Sequence, residues 1–97
     1  MKMEFSNEAV EDLADILAYT ILEYGNIQAE KYTNAFKDAF NLIQEFPQIG
    51  HSRPDLEQDF KSYKSGQHLI IYFIGLETIF VVRILHQRMD ISEWINN

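Results

Sequence analysis

The 97-residue chain reads as an α+β domain of two layers, a helical hairpin packed on an antiparallel sheet, in the order β-α-α-β-β-β with a short C-terminal tail. Three observations lead there. Two helical apolar stripes follow one another with only Gly25-Asn26 between them, and so short a join makes the helices antiparallel neighbours. The stretch from His68 to Asp90 sets two apolar runs either side of a turn at Gly75, the pattern of a strand hairpin. The length suffices for one core and not for a second of any size, so residues 1–97 form a single domain.

The elements follow in order. Lys2 to Phe5 reads as an edge strand with Met3 and Phe5 on one side. Ser6 or Asn7 then caps a helix whose first turns carry Glu8, Glu11 and Asp12, where the helix dipole favours negative charge. Val10, Leu13, Ile16, Leu17, Thr20, Ile21 and Tyr24 recur at helical spacing, opposite a solvated face of Glu11, Asp12, Asp15 and Glu23. Gly25 suits the left-handed position that closes such a helix. Asn26 caps a second helix, in which Ala29, Tyr32, Phe36, Phe40 and Ile43 form the stripe and Phe46-Pro47 the stop.

Residues 48–58, with Gly50 and Pro54, have loop composition. Phe60, Ser62 and Lys64 alternate with Lys61, Tyr63 and Ser65 as a half-exposed strand, and residues 65–67 turn it into the next. Strands at 68–74 and 78–86 complete the sheet. In the tail, residues 90–97, Ile91, Trp94 and Ile95 sit at helical spacing, which fits one or two turns or a docked extension. With the helices on one face of the sheet, the other face is expected to be presented.

The net charge of −7 is unevenly distributed. Residues 1–60 hold twelve acids against Lys2, Lys31, Lys37 and Arg53, whereas residues 61–97 hold Glu77, Asp90 and Glu93 against Lys61, Lys64, Arg83 and Arg88. A protein that grips nucleic acid needs a basic stripe to neutralise phosphates, so tight nonspecific nucleic-acid binding is not expected. The absence of cysteine excludes a disulfide framework and a thiolate metal site, and fits a reducing cytoplasm. No apolar run reaches the ~20 residues of a membrane span, and the amino end lacks the apolar region of a signal peptide. A cytoplasmic protein with no membrane partner is the expectation.

Candidate functional residues gather at the end of the last strand. Arg83 interrupts an apolar strand, beside Val81 and Leu85 and on the face opposite Phe80, Val82 and Ile84. It serves either as a two-point clamp for a carboxylate or phosphate, or in an internal ion pair with Asp90 or a helix acid. His86 offers a proton donor or acceptor near neutral pH, or a structural imidazole. His68 opens a strand and is expected to hydrogen-bond across the turn. With His51 these histidines match no metal signature, and neither a metal nor a cofactor is assigned. A phosphodiester-cleaving site would require Arg53, Lys61, Arg83 and His86 to converge, with Tyr63 and Tyr72 lending hydroxyls. Trp94 either closes the core or serves as a hook for a partner.

One ordered set of residues carries more. Asp12-Leu13, Ile16, Tyr19-Thr20, Tyr24-Gly25, Gln28-Ala29, Tyr32, Pro47, Gly50, Arg53, His68, Ile70, Tyr72, Arg83-Ile84-Leu85-His86 and Met89-Asp90 together resemble the ParE branch of the RelE/ParE toxin superfamily, the plasmid-stabilisation toxins. The resemblance spans nearly the whole chain. It implies the toxin of a type II toxin-antitoxin system, held inactive by a ParD-like antitoxin in a groove of helical hairpin and sheet, with DNA gyrase as the target. Arg83, His86, Arg88, Met89, Asp90 and Trp94 would then form the target-binding patch. RelE-like members instead cut messenger RNA on the ribosome, and in that alternative Arg53, Lys61, Arg83 and His86 would hold the phosphate. A non-toxic, partner-binding relic of the family is the third reading. The acidity of this chain, its few lysines and the lack of a tyrosine near the end of the last strand depart from the RelE pattern. Lys61 stands where an arginine often precedes the histidine strand, and lysine keeps the charge without the planar fork.

Overall fold

A computed structural model describes residues 1–95. The chain runs β1 (Lys2–Phe5), α1 (Asn7–Tyr24), α2 (Asn26–Glu45), a 3-10 turn (Pro47–Ile49), β2 (His51–Ser52), β3 (Lys61–Ser65), β4 (His68–Ile74), β5 (Thr78–His86) and α3 (Ile91–Ile95). The last two residues of the tail, 96 and 97, lie outside the described residues. All five strands form one sheet, ordered β1-β5-β4-β3-β2. β2 to β5 pair antiparallel through short connections, but β1 lies parallel to β5, with Lys2 opposite Thr78 and Phe5 opposite Val81. The sheet is therefore mixed at one edge. No hairpin links β1 to its neighbour, so nothing forces that pair to reverse direction.

Ser6 caps α1 by accepting the Ala9 N–H at 3.0 Å, and its own hydroxyl donates to the Val82 carbonyl at 2.6 Å. The cap thus also fastens the helix to β5. Gly25, at φ +89°, ends α1 by donating its N–H to the Ile21 carbonyl at 2.9 Å. The same glycine is the cap position of α2, so Asn26 is the first helical residue instead of the expected cap, and no side chain caps α2. A one-residue join leaves no room for separate caps.

The main core lies between the hairpin and the sheet: Ala9, Phe36, Ala39 and Ile43 against Ile70, Tyr72, Ile79, Val81 and Ile84. The inward face of α1 is Ala9, Leu13, Ile16 and Thr20. Val10, Ile21 and Tyr24, which the sequence places in one broad stripe with them, are exposed. The stripe is wider than α2 and the sheet can cover.

The far face of the sheet is not presented. Leu56 and Phe60 from the loop and Ile91 from α3 bury Ile71 and Leu85, with Phe73, Val82 and Ile95 packed alongside. The segment read as a loop holds most of the 3-10 turn and the short β2, and it folds across this face. In β5 a bulge sets Tyr72 opposite Val81 but Ile71 opposite Arg83, leaving Val82 without a partner. One inserted residue shifts the alternation. Val81 therefore joins Ile79 and Ile84 on the helix side, and Val82 joins Leu85 on the far side, which replaces the face assignment made from strict alternation.

Tyr72 ties the loop to the core. Its ring is fully buried, and its hydroxyl donates to the Pro47 carbonyl at 2.7 Å and accepts the Gly50 N–H at 2.9 Å. Tyr72→Phe leaves both backbone groups without this partner and is expected to cost about 2 kcal/mol. Thermal unfolding should fall by roughly 10 °C, and a shift under about 2 °C in calorimetry would contradict the assignment.

Candidate functional site

β1 ends at Phe5, opposite Val81, so the C-terminal half of β5 has no strand on that side. Polar groups from the start of α1 replace the missing strand. The Ser6 N–H donates to the Val81 carbonyl at 2.9 Å. Next along the edge, the Asp12 carboxylate accepts the Ile84 N–H at 2.9 Å and both Nε and Nη2 of Arg83, at 2.8 and 2.9 Å. The two side chains are only 19% and 14% exposed, which makes this a desolvated, two-point ion pair. Asp12 raises the basicity of Arg83. Of the two roles open to Arg83 in the sequence, the structure shows the ion pair, with the helix acid Asp12 and not with Asp90. Its guanidinium carbon also lies 5.4 Å from the centre of the Trp94 ring.

Beyond this pair, His68 and His86 face each other across β4 and β5, their rings edge-on with centroids 5.3 Å apart. Nδ1 of His68 shares a hydrogen bond with the hydroxyl of Tyr32 in α2, not with a group across the turn. The same hydroxyl accepts the Gln67 N–H at 3.3 Å. Gly66, at φ +58°, makes this approach possible, since a Cβ there would stand 2.6 Å from the Tyr32 ring. Nδ1 of His86 accepts the Arg88 N–H at 3.1 Å. An open cleft of about 1040 Å³ lies between hairpin and strand ends, lined by Ile16, Tyr19, Tyr24, Tyr32 and both histidines, with Arg88 at its edge.

The other candidates sit elsewhere. Arg53 forms a two-point pair with Asp55, at 2.9 and 2.7 Å, and holds that carboxyl below its usual range. Arg53 and Lys61 line a separate cleft of about 600 Å³ with Phe60 and Ile74. Lys61 pairs with Tyr72 and His86 with His68, positions separated by about 13 Å at ~3.3 Å per residue along β4. Arg53, Lys61, Arg83 and His86 are therefore not brought together. Arg88, Met89 and Asp90 form an exposed turn in which the Met89 N–H donates to the His86 carbonyl and Asp90 accepts the Ser92 hydroxyl at 2.7 Å. In α3, Ile91 closes the far-side core while Trp94 stays 49% exposed. The tail therefore folds back onto the core through Ile91, and Trp94 is not the residue that closes it.

Two site residues escape a sequence reading. Asp12 belongs by periodicity to the solvated face of α1, and only the need of a strand arginine for a counter-ion points to it. Tyr32 belongs to the core stripe of α2, and nothing local marks its hydroxyl as the partner of a histidine 36 residues away. Among the described residues, no three His, Asp or Glu side chains form a metal-holding group, and no helix is long and apolar enough to cross a membrane.

Burial lowers the pKa of His68, the charge of His86 lowers it further, and Asp12 opposes both. The folded state thus takes up fewer protons at this ring than the unfolded chain does. The His68 contribution to stability is complete above the unfolded value of 6.5 and is lost as pH falls below it toward the lower folded value. Melting temperature is expected to drop between pH 7 and pH 5, and His68→Gln should flatten that slope. The Asp55 shift acts only near and below 3.8. An unchanged slope in the variant would contradict the assignment.

Comparison with known proteins agrees along almost the full length. The family model described as the ParE toxin of the type II toxin-antitoxin system parDE matches residues 3–91. A protein named Toxin ParE1 from Caulobacter vibrioides is 31% identical over 85 residues, covering 88% of each chain. Another Toxin ParE1, from Mycobacterium tuberculosis, is 33% identical over 81 residues, covering 82% of this chain and 83% of its own. A solved structure described as the chromosomal ParDE TA system from P. aeruginosa superposes with a TM-score of 0.74 over 89% of this chain and 95% of that one, at 18% identity, and shows the same fold. The chain belongs to the ParE toxin family of type II toxin-antitoxin systems.

Proposed function

We propose that this toxin inhibits DNA gyrase by binding it, without chemistry of its own, and is neutralised by a ParD-like antitoxin. The observation that carries this reading is the dispersal of its cations. Arg83 is neutralised by Asp12, Arg53 is paired with Asp55, and Lys61 and His86 lie opposite positions four residues apart on β4, Tyr72 and His68. Stabilising a phosphoryl transition state needs several donors converging on one point, whereas a binding inhibitor needs only a presented surface. Arg88, Met89, Asp90 and Trp94 offer one beside His86, on a turn anchored by Ile91. A net charge of −7 also suits a protein target better than a phosphate backbone. Such a target places its action in the cytoplasm.

Induction of the gene in a bacterium without its antitoxin tests this. The expected result is filamentation with a DNA-damage response, relieved by co-expression of the antitoxin from the adjacent reading frame. Immediate translation arrest with cut messages would instead favour ribosome-dependent messenger RNA cleavage, and undisturbed growth would favour a relic without potency.

A further inference from the structure

β1 stands at one edge of the sheet, and only one of its two sides is paired. The Lys2 N–H donates to the Glu77 carbonyl at 3.1 Å and the Ser6 N–H to the Val81 carbonyl at 2.9 Å. The backbone groups of alternate residues in a strand point to opposite sides, so those of Lys2 and Glu4 turn toward β5 and those of Met3 and Phe5 away from it. Among the described residues, nothing takes the N–H or the carbonyl of Met3 or Phe5. Side chains alternate across the two faces. Met3 packs on the main core and Phe5 meets the Phe40 ring edge-on at 4.9 Å, both on the helix side. Lys2 and Glu4 are left exposed on the far face, and neither is in a salt bridge among the described residues.

A row of unpaired N–H and carbonyl groups is a template for another strand, and a second copy of the chain offers the same row. Two copies related by a two-fold axis perpendicular to the sheet meet antiparallel, with both helical layers on one face. Residues opposite each other then share a face, and charge selects among the registers. Pairing centred on Lys2 sets that lysine against itself, and pairing centred on Glu4 sets two carboxylates together, which opposes association. Pairing centred on Met3 places each Lys2 opposite a Glu4, Met3 opposite its counterpart and Phe5 opposite Met1. In that register the outward N–H and carbonyl of the two Met3 residues bond each other. We infer that β1 is a homodimerisation edge, joining antiparallel to β1 of a second copy in the register centred on Met3, so that the two five-stranded sheets become one.

The strand is four residues long, so the contact is small and the dimer weak and dependent on concentration. The net charge of −7 opposes the approach of two copies, but at physiological salt its reach is cut to about 8 Å, and the groups in contact decide the outcome. β1 runs beside Thr78–Val81 whereas the C-terminal turn follows His86, which leaves a turn free on each copy. The inference depends on neither the gyrase nor the antitoxin reading.

Analytical ultracentrifugation of the purified full chain, from ~1 μM to ~1 mM, tests this with two variants at exposed positions. Wild type is expected to pass from monomer to dimer across that range. Lys2→Glu alone and Glu4→Lys alone each set like charges opposite one another and should weaken the dimer by tenfold or more. The two variants mixed in equal amounts restore both pairs of opposite charge, so the mixture should dimerise about as well as wild type, as should the chain carrying both changes. In the dimer, amide exchange followed by NMR should slow at Met3 and Phe5 and stay unchanged at Lys2 and Glu4, whose N–H groups already face β5. A wild-type chain that stays monomeric at ~1 mM overturns the inference. So does a dimer that neither single change weakens, or a mixture that associates no better than its parts.

Discussion

Asp12→Ala is expected to destabilise the fold by about 3 kcal/mol, since it strands a largely buried guanidinium and leaves the Ile84 N–H without its acceptor. For a chain of this size that corresponds to a drop of roughly 15 °C in melting temperature. The effect differs in kind from loss of a surface ion pair, which is worth about 0–1 kcal/mol. Asp12→Asn separates the parts, because the amide oxygen still accepts from Ile84 while the charge pairing with Arg83 is lost, and it should fall between wild type and Ala. Asp12→Leu combined with Arg83→Met should recover part of the loss, as replacing both members of a buried pair costs less than removing one. Denaturant unfolding of the variants checks this series, and an Asp12→Ala protein within about 1 kcal/mol of wild type would contradict it.

Arg88→Ala with Trp94→Ala should reduce gyrase inhibition by about 30-fold or more, the equivalent of losing roughly 2 kcal/mol at an interface hot spot. Trp94 is suited to that role because the Arg83 guanidinium lies over its ring and Ile91 anchors its helix, so the exposed indole is already oriented before it meets a partner. Both side chains are exposed, so stability should change by less than about 1 kcal/mol, which separates a lost contact from a lost fold. The antitoxin complex should survive, since the helical hairpin is untouched. A double variant that inhibits gyrase like wild type would remove the C-terminal turn from the target-binding surface.

The helices and the β4–β5 hairpin were legible because their signals are local. Ser6 at the cap, Gly25 at the join, Phe46-Pro47 at the stop and Gly75 between apolar runs each act within a few residues of themselves. What escaped depends on partners distant in sequence. The bulge at Val82 is a matter of register between strands, and it moved Val81 to the other face from that given by alternation. The covering of the far face by Leu56, Phe60 and Ile91 depends on where a loop and a tail come to rest. The pairing of Asp12 with Arg83 spans 71 residues and follows from β1 being shorter than β5, a feature that neither segment shows alone. Of the cluster expected at the strand end, the most conspicuous member, Arg83, is held by α1, and the exposed groups are its neighbours Arg88, Met89, Asp90 and Trp94.

Purified toxin added to gyrase in a supercoiling and DNA-cleavage assay tests the central claim most directly. The proposed reading predicts that supercoiling stops and gyrase-dependent cleavage rises in proportion to added toxin, and that prior addition of the antitoxin prevents both. Gyrase left untouched by toxin that cuts messenger RNA on ribosomes in a parallel reaction would contradict it.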